Sequence, residues 1–130
     1  MRSFLITLII LLFFGGLAFI YYYSKEPETG PLDPLALCIE ESGAKFYGAF
    51  WDIPTRNQQK EFGPSKRFLP YVECTASSKM YQFQNDECKE VGVETYPTWK
   101  FENGTYFFGL LKPEDLADKT NCPMPEPDTD

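Results

Sequence analysis

The chain has 130 residues, with 19 acidic against 12 basic side chains, a net charge of −7, and no histidine. That length leaves room for one modest domain. A nucleic-acid footprint needs clustered Lys and Arg on one face, and no such cluster is present, so nucleic acid is set aside as a partner; the acidity otherwise favours solubility.

From Phe4 to Tyr23 the sequence FLITLIILLFFGGLAFIYYY carries no charge. About 20 apolar residues suffice for a membrane-spanning helix. A cleaved secretory signal is the alternative, but such signals have shorter apolar cores ending in small residues, whereas Tyr21, Tyr22 and Tyr23 resemble an interfacial aromatic belt. Residues 1–23 are therefore expected to be an uncleaved anchor. Arg2 precedes the span, and Lys25, Glu26, Glu28 and Asp33 follow it. The positive-inside bias then puts the N-terminus in the cytoplasm and the remainder on the extracytoplasmic side. Four cysteines agree with an oxidising compartment.

Residues 24–32, SKEPETGPL, suit a flexible stalk. Asp33 and Pro34 open a first helix, Asp33 as cap and Pro34 at the first helical position, and Gly43 closes it. Ala44 to Trp51 has the content of a buried strand, including Phe46, Tyr47, Phe50 and Trp51. A second helix is expected from Asp52 to Phe62, stopped by Gly63-Pro64, followed by a strand from Phe68 to Cys74 with Pro70 near its start. Asn85 to Val91 reads as a short helix ended by Gly92. Thr98–Glu102 and Thr105–Phe108 form a hairpin about Asn103-Gly104, where both central positions would accept positive φ. Pro113 starts a last helix, PEDLADKT, with Glu114 and Asp115 complementing its dipole. The tail 123–130, PMPEPDTD, is expected to be disordered. This order predicts a mixed sheet flanked by helices in a domain over 33–122, behind one N-terminal transmembrane helix.

Several ordered motifs, AKFYGAFW, QQKEFG, LPYVEC, the later Cys88, YPTW, the Asn-Gly turn and LADKTNC, resemble the thioredoxin-like domain fused to bacterial and plant homologues of vitamin K epoxide reductase. The resemblance covers Leu35 to Cys122 and implies a thioredoxin-like α/β fold. In that family a Cys-Pro-His-Cys type motif follows the strand Trp, and the domain passes electrons between substrate proteins and a membrane-embedded quinone reductase. Such a dithiol works because a helix N-terminus stabilises the thiolate. The matching positions here are Asp52, Ile53, Pro54 and Thr55, so no catalytic residue carries over. Asp52 reads as a helix cap contributing on the order of 1 kcal/mol. The resemblance further implies that Pro97 matches a cis proline bordering a peptide groove of Trp51, Asp52, Thr95, Tyr96 and Pro97. It also implies that Cys74 and Cys88 form a structural disulfide, which at that loop length would contribute roughly 3 kcal/mol.

Cys38 and Cys122 have no pairing readable from sequence, since four cysteines allow three connectivities. A zinc site is improbable because no two cysteines stand at knuckle spacing, and no cofactor or metal is expected. Asn103-Gly104-Thr105 is a glycosylation sequon that coincides with the hairpin turn. Three roles remain: a redox-inactive binder of an extended protein segment or membrane partner, an oxidoreductase or accessory using the remaining cysteines in trans, and a domain that positions a partner through its anchor.

Overall fold

A computed structural model of the chain describes residues 1–24, 28–76 and 83–126. Linker residues 25–27 and tail residues 127–130 thus lie outside the described residues. The first helix, α1, spans Arg2–Tyr23, and within it Phe4–Tyr23 is long and apolar enough to cross a membrane.

The rest is the expected mixed α/β architecture of a thioredoxin-like fold. Helix α2 (Asp33–Glu41) leads into β1 (Lys45–Gly48), α3 (Ile53–Glu61), a 3₁₀ helix at Gly63–Phe68 and β2 (Tyr71–Glu73). Then follow α4 (Asp86–Val91), β3 (Thr98–Lys100), β4 (Tyr106–Phe108) and α5 (Pro113–Thr120). The sheet runs β2-β1-β3-β4, with β1 parallel to β2 and antiparallel to β3, and β3 antiparallel to β4.

Register explains the core, because side chains directly opposite share a face. Tyr71, Phe46, Trp99 and Phe107 are paired across the four strands and form one row. Phe46 stacks on Trp99 with centroids 4.6 Å apart, and both are fully buried. Leu35, Ala36 and Ile39 of α2 and Leu116 and Ala117 of α5 close over this face. The opposite face carries Val72 and Tyr47, packed with Cys74, Val93, Tyr96 and Cys88 and Val91 of α4.

Several boundaries differ from expectation. Strand β1 stops at Gly48 because the Asp52 N–H turns back to the Ala49 carbonyl at 3.0 Å, so Phe50 and Trp51 leave the strand and stand 48% and 43% exposed. Strand β2 begins only at Tyr71, since the 3₁₀ helix continues through the expected Gly63-Pro64 stop and takes up Phe68. Asp33 is the first residue of α2 rather than its cap, and Pro34 follows it; the Asp33 carboxylate instead meets the Arg67 guanidinium at 2.9 Å. At the hairpin only Gly104 takes positive φ. Its N–H donates to the Phe101 carbonyl, and the Phe101 N–H donates to that of Thr105, each at 2.9 Å, so three residues form the connection where a two-residue turn was expected.

Residues 28–32, read as stalk, lie against the domain. Arg67 also donates to the Glu28 carbonyl, and Gly30 is buried so tightly against Ser65 that a side chain there would collide.

Two disulfides join distant parts. Cys38 of α2 pairs with Cys122 beyond α5, 84 residues apart in sequence, and Cys74 pairs with Cys88 across 14. The first follows from the packing of α2 on α5, which brings the two sulfurs together at the rim of the main core.

Candidate functional site

The corner between β1 and α3 is built from a short turn and a cap. Asp52 has extended backbone angles and its Oδ2 accepts two hydrogen bonds, from the Thr55 N–H at 2.8 Å and the Thr55 hydroxyl at 2.7 Å. One carboxylate oxygen thereby satisfies both an orphan amide of the first helical turn and a buried hydroxyl. Thr55 is fully buried and lies directly over Gly48, where any Cβ would collide with the threonine side chain and lie 3.1 Å from the Tyr71 ring. Glycine at 48 is therefore what allows α3 to approach the sheet at this point.

One turn further along α3, Gln58 is also fully buried. Its Nε2 donates to the Leu111 carbonyl at 2.8 Å, and its Oε1 accepts from the Leu111 N–H at 2.7 Å and the Trp99 indole N–H at 3.3 Å. This amide ties α3 to the chain entering α5 and to the sheet centre, so the corner rests on a braced element.

Facing the corner is the loop before β3. The Tyr96–Pro97 bond is cis and Pro97 is buried. The Tyr96 ring meets the Trp51 ring edge-on, with centroids 6.0 Å apart. Of the expected groove, Trp51 and Tyr96 are thus in contact and Asp52 stands beside Trp51 in the same turn. Thr95 is exposed, and its carbonyl accepts from the Thr98 hydroxyl at 2.7 Å, so that carbonyl is engaged within the domain. Among the described residues no hydrogen bond uses the Tyr96 backbone N–H or C=O.

Three residues that the sequence did not single out complete the surroundings. The Tyr71 hydroxyl donates to Glu73 Oε2 at 2.5 Å, and the Thr75 N–H donates to Glu73 Oε1 at 2.8 Å. Gln84 Nε2 donates to the Tyr96 hydroxyl at 3.0 Å and to the Val93 carbonyl at 2.8 Å. Burial pushes the Tyr71 phenol well above the ordinary tyrosine range, and the hydrogen bond and charge of Glu73 and the charge of Asp52 push it further. The Tyr96 phenol is raised mainly by burial, against the Gln84 hydrogen bond, with Glu73 and Asp52 adding to the rise. That Tyr71 stands beside Phe46 and that Gln84 reaches the Tyr96 hydroxyl both depend on long-range pairing.

All four cysteines are engaged in the two disulfides. Cys74 and Cys88, the latter the buried residue of α4, are completely buried, and Cys122 is 7% exposed. Asp52 and Thr55, the positions that the resemblance aligns with a dithiol, offer a carboxylate and a hydroxyl that are hydrogen-bonded to one another.

Among curated proteins the chain is similar to the thiol-disulfide oxidoreductase LTO1 of Arabidopsis thaliana, with 33% identity over 88 residues, which is 66% of this chain and 23% of that protein. The chain thus spans less than a quarter of that relative's length. No family model matches the chain.

Proposed function

We propose that this is a membrane-anchored, extracytoplasmic thioredoxin-like protein that lacks a working dithiol and binds an extended segment of another exported protein or of a membrane partner. The anchor is assigned to residues 1–23 and the binding domain to 33–122. The observation that carries this reading is the closed contact between Asp52 and Thr55 beside an aromatic surface and the open Tyr96 backbone, with no free thiol in the chain. Carboxylate and hydroxyl cannot exchange with a disulfide. An extended peptide can use unpaired backbone groups at such a loop, and exposed Phe50, Trp51 and Ile53 give it apolar contacts.

The test is reduction of insulin by the full chain in detergent. The wild type is expected to match its Cys74→Ser/Cys88→Ser variant at background, while Asp52→Cys/Thr55→Cys gains turnover. Wild-type turnover above the Cys74→Ser/Cys88→Ser level would overturn the reading. The side of the membrane is checked by protease access to the domain in sealed vesicles, with digestion from the extracytoplasmic side expected.

The relative's name favours a second reading, in which this chain is a disulfide oxidoreductase that uses its remaining cysteines in trans; the sequence resemblance adds the alternative that it is an accessory of a vitamin K epoxide reductase-like electron-transfer system. Its test is alkylation of the native protein. Four unreactive cysteines count against it, whereas mixed disulfides trapped with a partner support it.

A further inference from the structure

We propose that the domain rests on the bilayer, with the face around residues 28–34, Leu37 and Met124 laid against the phospholipid headgroups of the membrane that holds α1. This inference rests on the anchor assigned above and adds where the domain sits on it. The observation that carries it is the shortness of the chain between the two. Helix α1 runs to Tyr23, and the Ser24 N–H still donates to the Ile20 carbonyl at 2.8 Å. Glu28 is already held to the domain, its carbonyl accepting from Arg67, and Gly30 is buried against Ser65. Four Cα-to-Cα steps from Ser24 to Glu28 reach at most about 14 Å, whatever path they take. A domain of the size of 33–122 is roughly 30 Å across. With Tyr21, Tyr22 and Tyr23 at the interface, that reach is too short to pass round the domain, so the side that carries Glu28 meets the headgroups.

The composition of that side fits a headgroup layer. Pro31, Pro34, Leu37 and Met124 are exposed there, Leu37 and Met124 at 39% each. Pro31, Pro34 and Met124 line one cleft, and Leu37 lies one turn from Pro34 on the same side of α2. Lys66 is exposed next to Ser65, and cations beside apolar side chains suit the boundary between phosphates and acyl chains. Asp33 is paired with Arg67, and Glu28 and Glu126 leave this side without a net positive charge, so a zwitterionic bilayer suffices. Glu40 and Glu41, exposed at the C-terminal end of α2, tilt that end away from the lipid. Helix α4 lies across the sheet from α2 and provides the contrast, because it exposes Asp86, Glu87, Lys89 and Glu90 and no large apolar side chain. A partner engaged by the Trp51 and Tyr96 surface is then met within about 30 Å of the bilayer, one domain's width.

All four native cysteines are engaged in disulfides, so a single introduced cysteine alone takes a thiol-reactive fluorophore. For the test, full-length Leu37→Cys, Met124→Cys and Glu90→Cys proteins are labelled with bimane and reconstituted in phosphatidylcholine liposomes, with and without a lipid that carries a nitroxide on its headgroup. The labels at positions 37 and 124 are both expected to be quenched about threefold more than the label at 90, which stands one sheet and one helix layer further out. In protein that floats with the liposomes after an alkaline wash, a label at 37 or 124 quenched no more than that at 90 would overturn the docked face and leave the anchor standing. Failure to float would overturn the anchor and the docked face together.

Discussion

Replacing Asp52 by alanine isolates the part of the corner that the structure assigns to stability. The change removes the acceptor for the Thr55 amide, a loss of about 1 kcal/mol for a helix cap. It also strands the Thr55 hydroxyl, which is fully buried over Gly48, at a cost of about 1–3 kcal/mol. The lost charge at the helix end contributes a further ~0.5 kcal/mol. These terms share one oxygen and overlap, so the expected loss is about 2–4 kcal/mol. Asp52→Asn keeps an acceptor in place and is expected to lose only about 0.5 kcal/mol, the charge component. Urea denaturation of the full chain in detergent, followed by fluorescence of the buried Trp99 in a Trp51→Phe background, reports both values for the domain without interference from α1. An Asp52→Ala protein within 0.5 kcal/mol of its parent would refute the cap assignment. One more stable than its parent would mean that Asp52 is kept for a purpose other than stability.

Gln58→Leu should lose about 3–5 kcal/mol in the same measurement, because it leaves the Leu111 amide and carbonyl and the Trp99 indole N–H buried without partners. Removing the Cys38–Cys122 disulfide by a double serine variant should cost about 4–5 kcal/mol and removing Cys74–Cys88 about 3 kcal/mol, in the order of loops closed by 84 and 14 residues; equal urea midpoints would contradict this. Stability should be insensitive to Tyr71 and Tyr96 below the unfolded tyrosine pKa of about 10, since both states are then protonated, and should fall above it, because the unfolded chain ionises first while the folded phenols are held raised. Tyr71→Phe should flatten that alkaline decline in urea midpoints measured between about pH 9 and 11. Trp51→Ser should cost no more than about 1 kcal/mol in the same urea measurement, its edge contact with Tyr96.

The elements set by local chemistry were legible in the sequence. Helix α5 runs from Pro113 to Thr120 as read, and Asn85 and Gly92 bound α4 because a cap acceptor and a left-handed glycine act within one turn. Strand ends were read too long, since β-rich composition continues through Phe50 and Trp51 while pairing stops where β2 stops. The 3₁₀ helix at Gly63–Phe68 was hidden because Gly-Pro signals a stop locally, whereas Ser65 buried under Gly30 and Arg67 held by Asp33 fix that segment from 30 or more residues away. Gln58 escaped notice in the polar run RNQQK, where nothing distinguishes it from its exposed neighbours except the side of α3 it shares with Thr55. The Cys38–Cys122 bridge and the Gln84 hydrogen bond to Tyr96 follow from long-range packing that no short window contains.

The two sides of Asp52 do not need the same explanation. Its inward side, Thr55 over Gly48 with Gln58 behind, is a buried and hydrogen-bonded support that any domain of this fold benefits from. Its outward side leaves a tryptophan, a phenylalanine and an isoleucine in solvent in a chain that buries Trp99, Phe46 and Phe62 completely. A helix cap requires none of those three side chains, and serine or threonine at 50, 51 and 53 would hold the same turn at less cost in exposed apolar area. Stability therefore accounts for Asp52 and Thr55, gives Trp51 only its edge contact with Tyr96, and leaves the exposed area of Phe50 and Ile53 unexplained. Those three stand where the Tyr96 backbone is also unpaired, and contact with an extended partner would satisfy both at once.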